Sequence, residues 1–594
     1  MLFNKPRSNI QSNHSLLQNG GFLFVLIFLI IFRIWIIAGV PKQFIIGPHD
    51  DLFYAKGANY LLNNQWLGPY DSLTLIKVPF YTMFLTFSAS TGLPLFLNEN
   101  LLYLFSCLIL HIAISPLIRN RWWRLLVFTL LLYCPASIIT NWNLRVYREF
   151  VYLSITLFVI AFAIGLLLRI NAKPIIVILW TISLGISLGA FILTREEAAW
   201  IYPMLFLFTL SILWLIWKGE GTLKVQRSAM LLIPIILAYI PVFIVSELNY
   251  SHYGFWGISD QLDPDFNRVL NTLGRIKTST TWYPYVRVSR DALQKAYAAS
   301  PMMAQLKSKL DPLMDAWEPN SEEAFKAKPI WYQQSYSNHM TEIGAGHFPW
   351  VLRDAVSETG YFNGKYPKDY FRELANELEN ACDTGKLECS PSQSIPFIGT
   401  LDERHLPILG QMFFYQARLF MKLSIIGIPS LNLSSWQQYS DNNDVYVLFK
   451  NVAHNPINTI SDVNSNSKND NIWLGKLPLK LSIVRWLYKI YRFFTPILTI
   501  VSSICFIILV IATVFKKTHL QKQYLIILFF LVGLLFTRFT TLVIVDTTTT
   551  AAGVSYGASM YLFLYTFITI SIYAGITQLR SFLCRDEPKV LNEL

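Results

Sequence analysis

Long apolar runs, recurring from residue 21 to residue 578, decide what this chain can fold into. Gly21 to Val40 holds a single charged residue, Arg33, and is long enough to cross a hydrocarbon layer of about 30 Å. A bilayer offers backbone N–H and C=O groups no partner, so such runs must be helices. About ten are read, near residues 21–40, 99–117, 125–140, 150–168, 174–193, 199–217, 229–248, 494–514, 523–545 and 557–578. Charged residues make up 14% of the chain, against about 25% in soluble proteins, which excludes an ordinary soluble globular chain. The first run lacks a small-residue cleavage site before a soluble domain and is read as a retained helix, not a signal peptide.

Charge sets the topology. Residues 78–93 are apolar but short for a span. If they crossed, Arg119, Arg121 and Arg124 would fall outside and break the positive-inside pattern. Read instead as an amphipathic helix along the outer surface, they leave every basic cluster cytoplasmic, from Lys5/Arg7 to Arg580/Arg585/Lys589. Both termini are then cytoplasmic, in a cytoplasmic (inner) membrane. The outer loops are 41–98, 141–149, 194–198, 249–493 and 546–556. The net charge of +12 belongs to these flanking clusters and anionic lipid, so no nucleic-acid partner is expected.

The expected fold class is an all-α polytopic membrane protein. Outer-face juxtamembrane helices accompany the spans, and a mainly helical extracytoplasmic domain is inserted before the last three. The divisions are 1–248, a transmembrane core with the outer loop 41–98; 249–493, the extracytoplasmic domain; and 494–594, the last three spans and a cytoplasmic tail. Within 249–493, SRDALQKAYAASPMMAQLKSKL reads as helical, and YPKDYFRELANELENACD puts Phe371, Leu374, Leu378 and Ala381 on one helical face. Asn451 to Asp470, rich in Asn, Ser and Asp, reads as a linker. Cys382 and Cys389 flank a short turn on the oxidising side and are expected to form a structural disulfide. Cys107, Cys134 and Cys505 lie in apolar runs as inert thiols.

Chemistry concentrates in HDDLFYAKGANYLLNNQWLGPYDSLTLIK, residues 49–77. Two adjacent carboxylates, Asp50 and Asp51, stand at the membrane edge, a costly place for them. The same topology brings Lys77, Arg145/Arg148/Glu149, Arg195/Glu196/Glu197 and Asp546 to that face, each at the outer end of a helix. Acidic residues beside arginines at several helix ends suggest a polar cavity. Structural ion pairs are the alternative for Arg148–Glu149 and for Arg195–Glu196–Glu197. Glycosyl transfer from a lipid phosphate would use such a set. The leaving phosphate is already a good anion and needs no general acid. A carboxylate takes the acceptor's proton, and Lys or Arg stabilises the departing phosphate. Asp50 or Asp51 is the candidate catalytic base. Lys77, Arg145, Arg148 and Arg195 are candidates for the donor phosphate; His49, Tyr54, Glu149, Glu196 and Glu197 for binding acceptor or orienting the others. Phe53, Tyr54, Trp66, Tyr70, Phe80 and Tyr81 can stack on sugar or tail, or sit in the interfacial belt, the more frequent role of Trp and Tyr there.

The arrangement resembles the GT-C superfamily of membrane glycosyltransferases, which includes the lipid A aminoarabinose transferases and the protein O-mannosyltransferases. In those proteins an acidic pair opens the first outer loop, and a Lys-Pro-Pro stretch opens the second of the helices lying along the membrane. Here Asp50-Asp51-Leu-Phe53-Tyr54 stands at the first position and Lys77-Val78-Pro79 at the second, with Val where the family often has Pro. Glu149 matches a second acidic residue frequent near the outer end of the third and fourth spans. The resemblance covers roughly residues 21–248. It implies a polyprenyl-phosphate monosaccharide donor, inversion at the anomeric carbon and an active site facing away from the cytoplasm. It requires no cofactor. Some branches use a divalent metal, and two aspartates are able to hold Mg or Mn, though no metal-ligand spacing occurs in the chain.

Other signals carry less. Asn249-Tyr250-Ser251 and Asn432-Leu433-Ser434 match a glycosylation pattern common by chance. His252, His339, His347, His405 and His454 are scattered. GAGHFPW, residues 344–350, follows no strand that would make it a phosphate loop; a loop dipping towards the active site is the other reading. The cytoplasmic loops are too short for a nucleotide site, which argues against a sugar nucleotide as direct donor. The expected function is transfer of one monosaccharide from a polyprenyl-phosphate-linked sugar to an envelope glycan, lipid or protein. An O-antigen-type ligase or polymerase is an alternative, without the acidic pair after the first span. A non-enzymatic transporter, flippase or assembly protein is another; a transporter would carry more charges at mid-membrane than Arg33 and Arg538.

Overall fold

The structure is a computed structural model. It describes residues 8–40, 42, 50–140, 142–219, 223–279, 282–336, 342–391, 401, 403–424, 444–454, 477–516, 519–549 and 554–583. Helices dominate, and no strand occurs among the described residues. The membrane-crossing part comprises α1 (Ser8–Ile37), α4 (Leu95–Ala113), α6 (Glu149–Arg169), α7 (Pro174–Ile192), α8 (Tyr202–Lys218), α9 (Lys224–Met230) and α10 (Ile233–Tyr253), with the shorter α5 (Arg121–Leu132) between α4 and α6. It resumes with α19 (Leu477–Lys516), α20 (His519–Thr548) and α21 (Met560–Leu583). The chain is thus an all-α polytopic membrane protein. Between α1 and α4 lie α2 (Asp51–Leu62) and α3 (Phe80–Ser90), the latter of 11 residues and too short to span.

Nine helical stretches among the described residues are long and apolar enough to cross a membrane, one fewer than expected. The exception is 125–140. Its helix, α5, ends at Leu132, because Pro135 lacks an N–H and cannot continue it. The exposed carbonyls find side chains instead. Tyr491 donates to Leu130 O at 2.9 Å and Tyr103 to Leu131 O at 2.7 Å. Arg33 donates to Leu132 O at 2.8 Å, to Asn100 Oδ1 at 2.6 Å and to Ser137 O. Asn143 Nδ2 reaches the Ala136 and Ile138 carbonyls at 3.2 and 3.1 Å. Irregular backbone survives among spanning helices only where protein satisfies it. Arg33, an odd charge in the first apolar run, is the partner this break requires. The irregular stretch then carries Arg145 and Arg148 into the site.

The segment between α10 and α19 builds a second core from α11 (Pro264–Arg275), α12 (Arg290–Ala299), most of α13 (Pro301–Lys326), α15 (Phe348–Glu358) and α16 (Lys368–Asp383), while α14 (Ile330–Tyr336) puts its buried Tyr332 into the core of the bundle. Ser300 separates α12 from α13, its hydroxyl accepting the Met303 N–H as an N-cap. The face expected on α16 is buried: Phe371, Leu374 and Leu378 are fully covered. Cys382 and Cys389 are joined, with Cα atoms 5.5 Å apart. This core takes in Tyr70 and Leu75 of the first loop, so the two parts share a hydrophobic interior. Asn249 is buried, accepting from Trp66 Nε1 at 2.8 Å, which removes it as a glycosylation candidate. Two further helices follow: α17 (Leu406–Met421) packs on α20, and α18 (Asp444–Ala453) on α2 and α3. The expected linker 451–470 lies mostly outside the described residues. The span expected at 494–514 is part of α19, whose helix already begins at Leu477.

Candidate active site

Asp50 stands at the N-cap position of α2 without capping it through its side chain, and Asp51 is the helix's first residue. The two carboxylates diverge. Asp51 is fully buried and takes the Arg145 guanidinium side-on, Nε at 3.1 Å from Oδ2, with Nη2 on the same oxygen. Asp50 is 34% exposed and accepts from Lys77 Nζ, with Arg145 Nη2 at 3.5 Å from its other oxygen. Burial works to raise Asp50, but Lys77 and then Arg145 outweigh it and hold the carboxyl down at about 2. For Asp51 burial wins over Arg145, and the carboxyl is pushed up to about 6. The Lys77 amine is lowered by its own burial against the pull of Asp50, and lies over the rings of Tyr54, Tyr147 and Trp350 at 5.4, 5.8 and 5.8 Å.

Lys77 sits on irregular backbone that other segments hold. Val78 N–H donates to Glu196 Oε1 at 3.0 Å and Phe80 N–H to Leu193 O at 2.9 Å. On the other side, Asp260 N–H donates to Leu75 O at 3.0 Å. Arg353, on α15, donates to the carbonyls of Ser72 and Thr74, each at 3.1 Å, while paired with buried Asp260. The lysine is therefore fixed by the α7–α8 connection and by the inserted segment together.

Behind this pair the remaining charges lock one another. Arg148 grips Glu196 at 2.9 and 2.8 Å, and burial of Glu196 is outweighed by that arginine, leaving its carboxyl lowered. Arg195 is fully buried, donating to both Glu149 oxygens at 2.7 and 2.6 Å, with Glu197 Oε1 2.6 Å from its Nε. Its guanidinium stacks 4.1 Å over Tyr556. Arg538 donates to Tyr556 O at 3.1 Å and has Nη1 3.9 Å from Glu197. The cluster is electrically balanced: Asp50, Asp51, Glu149, Glu196 and Glu197 face Lys77, Arg145, Arg148, Arg195 and Arg538.

Four of the five polar features expected on one face thus meet. Asp546 is engaged elsewhere: Lys328 Nζ reaches its Oδ1 at 2.8 Å and Gln416 Nε2 its Oδ2 at 2.6 Å, docking the inserted segment. Arg148 pairs with Glu196, not with its neighbour Glu149, because adjacent side chains diverge. Arg195, expected on a phosphate, has no exposed surface and faces carboxylates. Tyr54 is buried among Arg148, Glu196 and Asp50. His49 lies outside the described residues. Sequence reasoning missed Lys42 and Glu99, a buried ion pair in which Lys42 also donates to the Asn143 and Arg145 carbonyls at 2.8 and 3.0 Å. A lone carboxylate opening an apolar run was the available signal, as at Glu149.

Among the described residues no trio of His, Cys, Asp or Glu is placed to hold a metal. The two aspartates also fit a divalent ion poorly, since Lys77 and Arg145 already neutralise them.

No protein-family model and no curated protein matches the chain. Two solved structures are similar to it. ArnT from Cupriavidus metallidurans in the apo state is 11% identical, with a TM-score of 0.29, over 94% of this chain and 78% of that one. The same protein bound to undecaprenyl phosphate is 12% identical, with a TM-score of 0.30 and the same coverage. At such identities and TM-scores the likeness carries no argument.

The acid limb of activity should report Asp51. As pH falls through about 6, Asp51 takes a proton and Arg145 loses its charged partner. Turnover is expected to drop with a midpoint near 6, and Asp51→Asn to abolish that inflection. Stability should not drop with it. Between the unfolded carboxyl value and about 6 the folded chain holds this proton more tightly, so this group favours the fold as pH falls and opposes it above 6. A melting temperature that falls in step with activity would assign the limb to unfolding.

Proposed function

We propose that this chain is a membrane glycosyltransferase, moving one monosaccharide from a polyprenyl-phosphate donor to an envelope acceptor at the end of the bundle where Asp50 lies. The observation that carries this is the placement of Asp50, the most open carboxylate of a balanced charge cluster, directly on Lys77 and beside Arg145. A neutral cluster admits an anion only when one carboxylate yields its cations. Asp50 is the one free to do so.

The donor phosphate binds Lys77 and Arg145 in place of Asp50. Freed of both cations, Asp50 rises from about 2 towards the ordinary carboxylate range and becomes a usable base. The acceptor hydroxyl attacks the anomeric carbon opposite the phosphate, with inversion. Its proton passes to Asp50, the sugar–phosphate C–O bond breaks, and the electron pair leaves with the phosphate onto Lys77 and Arg145. Arg148 and Glu196 hold the backbone beside Lys77, and Asp51 aims Arg145. No step is routed through a metal.

Cells carrying Lys77→Met at native expression test the reading. Mass spectrometry of lipids and envelope glycans should show one polyprenyl-phosphate sugar accumulating and one glycan, lipid or protein losing that same sugar. Unchanged profiles in both fractions would overturn the transferase reading in favour of an assembly role. Accumulation of a whole lipid-linked glycan would point instead to a ligase or polymerase.

A further inference from the structure

GAGHFPW, residues 344–350, opens the helix that reaches the site from the inserted segment. Gly344 to His347 form a turn, His347 N–H donating to Gly344 O at 2.8 Å. The turn is pinned on both sides: Ala345 N–H donates to Tyr285 O at 2.7 Å, and Ser321 Oγ lies 2.9 Å from His347 Nδ1. From it α15 runs with Phe348, Val351 and Leu352 fully buried in the second core. Trp350 takes the other face, half-buried, its ring 5.8 Å from Lys77 Nζ. One turn on, Arg353 holds the backbone that carries Lys77. One rigid helix thus fixes both the lysine's loop and an aromatic wall beside its amine.

We propose that Trp350 is the platform on which the donor's sugar ring rests, so that the inserted segment takes part in choosing the monosaccharide. The inference rests on the transferase reading above. A sugar is one ester oxygen from its phosphate. A ring this near the phosphate-binding amine is therefore within reach of that sugar. An indole is a flat apolar surface of the kind that suits the C–H face of a pyranose, whose hydroxyls then remain free for polar groups. Tyr54 and Tyr147, the other rings around Lys77, belong to the first loop and the broken crossing. Trp350 alone of the three comes from the inserted segment.

The experiment uses the full-length purified chain and two probes. One is decaprenyl phosphate, which has tail and phosphate but no sugar. The other is the polyprenyl-phosphate sugar that accumulates in the Lys77→Met cells. Trp350→Ala should leave affinity for decaprenyl phosphate within about twofold and weaken the sugar-bearing lipid about tenfold, with Trp350→Phe recovering most of the loss. Equal weakening of both probes would make Trp350 a structural residue and overturn the proposal. So would unchanged affinity for the sugar-bearing lipid, or Trp350→Phe as weak as Trp350→Ala. A native chain that binds neither lipid overturns the transferase reading itself, which separates that failure from this one.

Discussion

Asp50→Asn is expected to lower sugar transfer by at least about 100-fold while the chain folds as the native one does, since a positioned general base contributes about 10²- to 10⁴-fold. The amide keeps the shape and still accepts the hydrogen bond from Lys77, so the local packing has no reason to change. It cannot take the acceptor's proton. Donor binding should survive or tighten, because the amide no longer competes as an anion for Lys77 and Arg145. A variant that binds donor at least as well as the native chain and barely turns over is the signature of a missing base. If turnover stays within tenfold of native with folding intact, Asp50 is a placeholder on Lys77 and the base lies elsewhere. Glu197, 20% exposed, is the next carboxylate to substitute.

Arg195→Met is expected to act on stability first. The native guanidinium is fully buried and neutralises Glu149, itself 1% exposed, and Glu197. Burial would lower Arg195, but Glu149 and then Glu197 outweigh it and hold the arginine charged. Removing it leaves two carboxylates facing a stripped site, and breaking a buried ion pair from one side costs about 3–5 kcal/mol. Arg195→Lys should recover little, since one ammonium cannot bridge two carboxylates as the planar fork does. The double change Arg195→Met, Glu149→Gln should recover much of the loss, because the cluster is balanced again and Glu197 keeps Arg538 beside it. Melting of the purified chain in detergent reads all three. An Arg195→Met chain of native stability that has lost donor affinity would return this arginine to the phosphate.

The spanning helices were legible because their signal is local. Twenty apolar residues in succession have one solution in a bilayer. The position of the acidic pair, the disulfide between Cys382 and Cys389, and the buried face of α16 were legible for the same reason. The expected helix at 125–140 failed on a local signal that was present, Pro135, outweighed by the apolar run around it. Its break survives only because Arg33, Tyr103 and Tyr491, all distant in sequence, satisfy the freed carbonyls.

Pairing among the charges is of the other kind. The sequence places aspartates, glutamates, arginines and a lysine at helix ends on one face. It does not say that Asp51 turns inward to Arg145, 94 residues away, while Asp50 stays open on Lys77. Nor does it say that Arg195 is consumed by Glu149 and Glu197, or that α15 of the inserted segment walls the lysine. Each outcome depends on which helix ends pack side by side and how deeply each group is buried, and burial divides two adjacent, identical carboxylates into one held near 2 and one near 6. The sequence alone determined a helical membrane protein with a charged loop face; the tertiary structure decided which of those charges are free to react, because solvation and partner distance are properties of the packed bundle and not of the residue.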